Sequence, residues 1–198
     1  LYLGAGIGVA VLYLFHGRNT GPQAFLEKKD LPYTVGMVVL DILAPISLMY
    51  GLRYTTAANA SLLNNFEIVA TTVIALALFR ETVSGRLWLA ILLVTLSSCI
   101  LTFEDASALQ FNRGSVFVLL AAVCWGLENN CTRSISDKST YQIVTIKGLC
   151  SGIGSLIIGF ASGERLPAPG DLALVLLLGF VAYGLSIFFY IRAQKDLG

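Results

Sequence analysis

Polar residues along this chain gather in short clusters, and between the clusters the sequence stays apolar for the length of a helix. Such runs recur at Leu1 to Phe15, Val35 to Leu52, Ala57 to Phe79, Leu87 to Phe103, Ser115 to Cys131, Tyr141 to Ala161 and Leu172 to Ile191. Within them the apolar residues are continuous rather than alternating, as in Ile68 to Phe79, which excludes the strands of a membrane barrel. Only helices and closed barrels satisfy the backbone in lipid. The pattern therefore predicts an all-α membrane protein, a polytopic bundle of seven transmembrane helices. The clusters between them carry turn-forming residues, among them Gly21, Pro22 and Pro32, then Arg80 to Arg86, Glu104 to Gly114, Arg133 to Thr140, and Gly163 to Asp171 with Pro167 and Pro169. The first run reaches only about 22 Å as helix, short of a hydrocarbon core of about 30 Å, so a truncated first span is expected. A signal peptide is the competing reading, but a basic leader and a small-residue cleavage site are missing.

Composition agrees. Of 198 residues 56% are hydrophobic and 13% charged, against about 25% charged in soluble domains. A net charge of +1, with Lys and Arg scattered singly or in pairs, offers no basic patch, so nucleic acid is not an expected partner. Cys99, Cys124, Cys131 and Cys150 show no metal-type spacing and read as packing residues. His16, beside Gly17 and Arg18, reads as a solvated loop residue. No metal or cofactor is expected.

The basic residues also give an orientation. Taking alternate loops, Arg18, Lys28, Lys29, Arg80, Arg86, Arg133, Lys138, Arg192 and Lys195 fall on one side, and Arg53, Arg113 and Arg165 on the other. The richer side should face the cytoplasm. The expected location is the cell (plasma) membrane, as a multi-pass protein of a bacterial inner membrane. Gly6-Ile7-Gly8 in the first span recurs as Gly152-Ile153-Gly154 in the sixth. With that orientation the two spans run in opposite senses, which suggests an inverted repeat with a period of five spans, the arrangement of many transporters.

Four ionisable residues, Asp41, Glu67, Glu128 and Lys147, lie inside apolar runs. A charge at the bilayer centre costs at least about 2.5–3.5 kcal/mol, so such residues pair with one another or line a polar path. Glu128 and Asn129 follow Trp125 by three and four residues, which places the three on one helix face, with Asn130 beside them. Asn64 and Glu67 are spaced likewise on the third span. Asp41 precedes Pro45 by four residues, so its carbonyl lacks the usual helical partner. Lys147 should pair with a carboxylate such as Glu128 or Asp41, or hold an anionic group of a substrate. Trp125 and Tyr183 fall inside spans and suit a cavity wall, whereas Tyr50, Tyr54, Trp88 and Tyr190 sit at span ends and suit the interfacial belt. Substrate binding or proton coupling by these residues competes with a plainer role, hydrogen bonding between helices.

The stretch Leu52-Arg53-Tyr54-Thr55-Thr56-Ala57-Ala58-Asn59-Ala60-Ser61-Leu62-Leu63, followed by an apolar helix ending in Leu78-Phe79-Arg80-Glu81, resembles the third and fourth helices of an EamA-type member of the drug/metabolite transporter superfamily. Ala122-Val123-Cys124-Trp125-Gly126 is similar to the Trp-Gly signature that opens each EamA repeat. The resemblance covers essentially the whole chain. It implies ten helices in two inverted five-helix repeats, of which this chain holds the second to the eighth, with residues 1–104 lacking the first helix of one repeat and 113–198 lacking the last two of the other. Arg80-Glu81 resembles a structural motif of the family. Where members often carry a Pro in the fourth helix, this chain has Ile68, so the resemblance does not extend to a proline kink there.

The function expected from this is a secondary transporter, an exporter or permease of small polar metabolites or drugs working by alternating access. No GxxxxGK[ST] pattern occurs, so a proton or substrate gradient is the expected energy source. The expected partners are a small-molecule substrate, the lipid bilayer, a coupling proton and a second copy of the chain in a homodimer. Two alternatives of other classes are an intramembrane enzyme using Glu67 and Glu128 as acid and base, although no HExxH motif or nucleophile elbow accompanies them, and a structural membrane protein without transport activity.

Overall fold

The computed structural model describes residues 1–16, 24–80, 84–102 and 111–197. Among these the regular structure is helical: α1 (Tyr2–His16), a 3-10 turn (Lys28–Asp30), α2 (Leu31–Leu52), α3 (Ala57–Asn64), α4 (Phe66–Ala77), α5 (Gly85–Thr102), α6 (Arg113–Ser134), α7 (Thr140–Ala161), α8 (Pro169–Leu178), a π-helical stretch (Gly179–Gly184) and α9 (Leu185–Leu197). Five segments are long and apolar enough to cross a membrane, Lys28–Leu52, Ala57–Ala77, Arg113–Ser134, Thr140–Ala161 and Pro169–Lys195, and two shorter apolar helices fall at Tyr2–Phe15 and Gly85–Ser97. Each matches one of the seven predicted runs. Arg18, Glu81 and residues 104–110 lie outside the described residues, as do the side chains of His16 and Cys99.

The chain divides into two compact units, Leu1–Ile42 with Cys131–Gly198, and Leu43–Asn130. In the first, α1 packs on α7 and on the π-helical stretch. Glycines permit this closeness: a Cβ added at Gly148 would overlap the Gly6 nitrogen, and one at Gly152 would stand 2.7 Å from the Leu3 side chain. The partners run in opposite order, Tyr13 with Tyr141, Gly6 with Gly148 and Leu3 with Gly152. The two helices bearing the Gly-Ile-Gly echo are thus antiparallel. Beside them Val9, Met37, Ile135, Tyr141, Ile143, Val144, Phe188 and Ile191 form a buried cluster.

In the second unit α3, α4 and α5 pack together. Thr56 caps α3 by accepting from the Asn59 N–H at 3.2 Å, and the buried Asn59 amide donates to Thr55 Oγ1 at 2.7 Å and Ser115 Oγ at 3.0 Å. Between α3 and α4 the backbone tightens at Asn65, whose N–H reaches the Leu62 carbonyl while Ile68 N–H reaches the Asn65 carbonyl, bonds of the 3-10 kind within a span that runs from Ala57 to Ala77. No proline takes part in this local tightening. Asn65 Nδ2 adds a bond to the Ser61 carbonyl at 3.1 Å, the local competition with helix that Asn side chains offer.

The aromatics read as an interfacial belt are exposed: Tyr50, Tyr54, Trp88 and Tyr190. Cys124 is buried, Cys131 is half-buried and Cys150 is exposed, all as free thiols.

Candidate functional site

Each unit buries its own constellation of ionisable and amide side chains. In the first unit Asp41, from the middle of α2, is 1% exposed and Lys147, from the second turn of α7, is 5% exposed. The Lys147 ammonium stands 3.8 Å from Asp41 Oδ2, and the Tyr2 hydroxyl donates to Asp41 Oδ1 at 3.0 Å. The Tyr2 ring meets the Tyr183 ring edge-on, with centroids 5.0 Å apart and planes at 89°. Of the two carboxylates the sequence offers Lys147, the structure sets Asp41 against it.

Local sequence explains each placement. Pro45 within α2 withholds the N–H that would bond the Asp41 carbonyl. Gly148 lets α7 approach the backbone of α1 beside Lys147. Tyr183 lies on the π-helical stretch, and such one-turn bulges in an α-helix are frequent at functional sites. Gly179 and Gly184 bound that stretch, where α1 comes so close that a Cβ on Gly179 would overlap the Leu1 carbonyl and one on Gly184 would meet the Ala5 Cα at 2.9 Å.

In the second unit Glu67, in the first turn of α4, accepts from Asn129 Nδ2 at 3.0 Å. Asn129 Nδ2 also reaches Thr71 Oγ1 at 3.4 Å, and the Thr71 hydroxyl donates back to the Glu67 carbonyl at 2.8 Å. One residue on, Asn130 Nδ2 bridges the Thr71 carbonyl at 3.0 Å and the Gly126 carbonyl at 2.8 Å. A Cβ at Gly126 would lie 2.9 Å from both the Ala70 Cβ and the Thr71 nitrogen, so this glycine sets the approach that the amides then bind. Glu128 on the same helix is 2% exposed, and Trp125 is half-buried. Asn64, which ends α3, has its Oδ1 sealed from solvent and bonded to no described residue.

The structure thus joins Asp41, Lys147 and Tyr183 in one cluster, and Glu67 with Asn129 in another. Sequence reasoning passed over Tyr2, which links Asp41 to Tyr183, and Thr71. A tyrosine within an apolar run, the signal that singled out Tyr183, is also present at Tyr2. Asn130, the second of the two amides that follow Glu128, is 3% exposed and donates to two carbonyls. Among the described residues no group of His, Cys, Asp and Glu is arranged to hold a metal ion. The chemistry available is proton exchange at buried carboxylates and the holding of polar groups by opposed charges and amides.

Comparison with known proteins adds a family. Residues 1–103 and 112–198 match the EamA-like transporter family. A protein of Methanothermobacter thermautotrophicus named as an uncharacterized transporter is 31% identical over 146 residues, which cover 71% of this chain and 42% of that protein. The chain thus spans under half the length of that relative. A solved crystal structure, titled only as that of a protein, superposes with a TM-score of 0.65 over 98% of this chain and 77% of its own, at 16% identity. That likeness concerns the fold.

Proposed function

The chain belongs to the EamA-like transporter family, and on that premise we propose that it acts as a secondary transporter, moving a small polar metabolite or drug across the cell membrane by alternating access. One observation supports this most strongly: an aspartate and a lysine, 1% and 5% exposed, face one another at 3.8 Å inside apolar spans. A pair that served cohesion alone is often replaced by well-packed apolar residues at no loss of stability. A pair that can exchange partners suits a carrier, because a proton on Asp41, or a charged group of the substrate, releases Lys147 and changes what holds α2 to α7. Tyr2 and Tyr183 then form the wall beside the pair.

In the second unit Glu67, Asn129 and Asn64 offer acceptors and an amide to a polar substrate, with Glu128 and Trp125 on the same helix as Asn129. Glu128 serves as a second carboxylate for substrate or proton. Energy comes from a proton or substrate gradient.

The test begins with cells that overproduce the intact protein, challenged with a panel of growth-inhibiting metabolites and drugs until one is found against which it protects. At equal abundance in the membrane, Asp41→Asn and Lys147→Gln should abolish the protection, and Glu128→Gln should lose most of it and shift its pH dependence. Wild-type protection by all three variants would remove these residues from the transport path.

A further inference from the structure

The first unit also holds a cavity of about 390 Å³ between the end of α1 and the first two turns of α7, with Phe25 as a third wall. Small-molecule pockets have volumes of about 300–1,000 Å³. Tyr13, Phe25, Ser139, Tyr141, Gln142 and Thr145 supply its chemistry, and none of the described residues that line it is charged. The rings of Tyr13 and Tyr141 stand 5.4 Å apart at 49°, and Tyr141 is backed by Phe188 at 4.8 Å.

The third wall is firmly held. Leu26 N–H donates to Gln142 Oε1 at 2.8 Å, and Ser139 N–H donates to the Ala24 carbonyl at 2.8 Å. Beyond them Asp30 accepts from Glu27 N–H at 2.9 Å and stands 3.9 Å from the Lys138 ammonium. Asp137, hydrogen-bonded to Lys138 at 3.1 Å, raises the pKa of that ammonium, so it is fully charged at neutral pH. The wall is built before any ligand arrives.

With its oxygen engaged by Leu26, the Gln142 amide has its two N–H donors left over. The Thr145 and Tyr141 hydroxyls bond no described residue, although Tyr141 is only 8% exposed. Among the described lining residues a charged ligand would shed water without meeting a counter-charge. An aromatic ring, by contrast, finds three aromatic side chains to pack on, and a polar edge finds amide and hydroxyl donors.

We propose that this cavity is a binding site for a small uncharged aromatic molecule that carries a hydrogen-bond acceptor. The site is separate from the Asp41–Lys147 pair, although Lys147 directly follows the lining residue Ile146 on α7. It stands whether or not the transport reading holds, because its test measures equilibrium binding.

The test uses the intact protein in lipid nanodiscs and equilibrium dialysis of N-acetyl-tryptophanamide, which is uncharged, against tryptamine and N-acetyl-tryptophan, which carry the same ring with a positive or a negative charge. Uptake by empty nanodiscs is subtracted. The uncharged probe should bind at least tenfold more tightly than either charged one. Thr145→Phe from one wall and Ala10→Leu from the other fill the cavity, and each, with its unfolding midpoint near that of wild type, should weaken binding at least tenfold. Tyr141→Phe, which keeps the ring, should weaken it about fivefold through the lost hydroxyl. Unweakened binding in whichever of the two filling variants folds, equal affinity for a charged probe, or no binding beyond that of empty nanodiscs would each overturn the proposal.

Discussion

Asp41 and Glu67 are both carboxylates set into apolar helices, but the first is met by an ammonium and a phenol and the second by an amide. The difference governs what each can lose. Lys147 and Asp41 neutralise one another, so removing either leaves a buried charge with its opposite gone. Glu67 accepts from Asn129, a neutral donor, so losing that contact unbalances no charge pair between the two. The first cluster is therefore sensitive to charge, and the second to shape and hydrogen-bonding capacity.

The sharpest way to break this contrast is to unbalance the pair. Lys147→Met should destabilise the protein by about 3–5 kcal/mol, the usual result of orphaning a buried partner, as measured by denaturant titration in detergent. The double variant Asp41→Asn, Lys147→Met should recover most of that loss. A double variant no better than the single one would mean that the two charges are held by other groups.

A smaller effect sharpens the comparison sterically. Gly148 meets the backbone of Gly6, whereas Gly126 meets the Ala70 side chain as well as the backbone of Thr71, at distances about half an ångström longer. Gly148→Ala should thus cost about 2–3 kcal/mol and Gly126→Ala about 1–2 kcal/mol, within the range of overpacked cores. Equal losses would show that the first contact yields as easily as the second.

The mildest expectation concerns the amide cluster. Glu67→Gln, which retains the acceptor, should change stability by less than about 0.5 kcal/mol, and Asn129→Ala by about 1 kcal/mol, in keeping with hydrogen bonds between membrane helices. Should Glu67→Gln cost as much as Lys147→Met, Glu67 is also bound by a charge, and the contrast fails.

The apolar runs were legible because hydropathy is local, and each of the seven coincides with an apolar helical segment among the described residues. The four ionisable residues inside those runs were legible for the same reason, since a charge in such a run stands out; Asp41, Glu128 and Lys147 are buried and Glu67 is half-buried. Their pairing was not. Lys147 had two carboxylates open to it, and the choice of Asp41 depends on how α2 and α7 cross, which Gly154 against Ile42 and the Ser151 hydroxyl against the Val38 carbonyl help to fix. The π-helical stretch that carries Tyr183 has an ordinary apolar sequence, Gly179-Phe180-Val181-Ala182-Tyr183-Gly184, and it arises where glycines let α1 press against it. The spacing of Trp125, Glu128 and Asn129 put them on one helix face, but the bond from Asn130 to the Thr71 carbonyl depends on the approach of Thr71 at Gly126, a tertiary fact.

The tightening at Asn65 is of a kind that can relax. A proline there would delete an amide hydrogen and wedge its ring against the preceding turn, so the helix could not close. Asn65, Phe66, Glu67 and Ile68 all keep their amide hydrogens, and Asn65 itself has helical dihedrals, φ −65° and ψ −16°. A rotation of a few tens of degrees would join α3 and α4 into one continuous rod and turn Asn64 relative to Glu67. At this point the chain thus keeps every amide donor that a continuous helix needs.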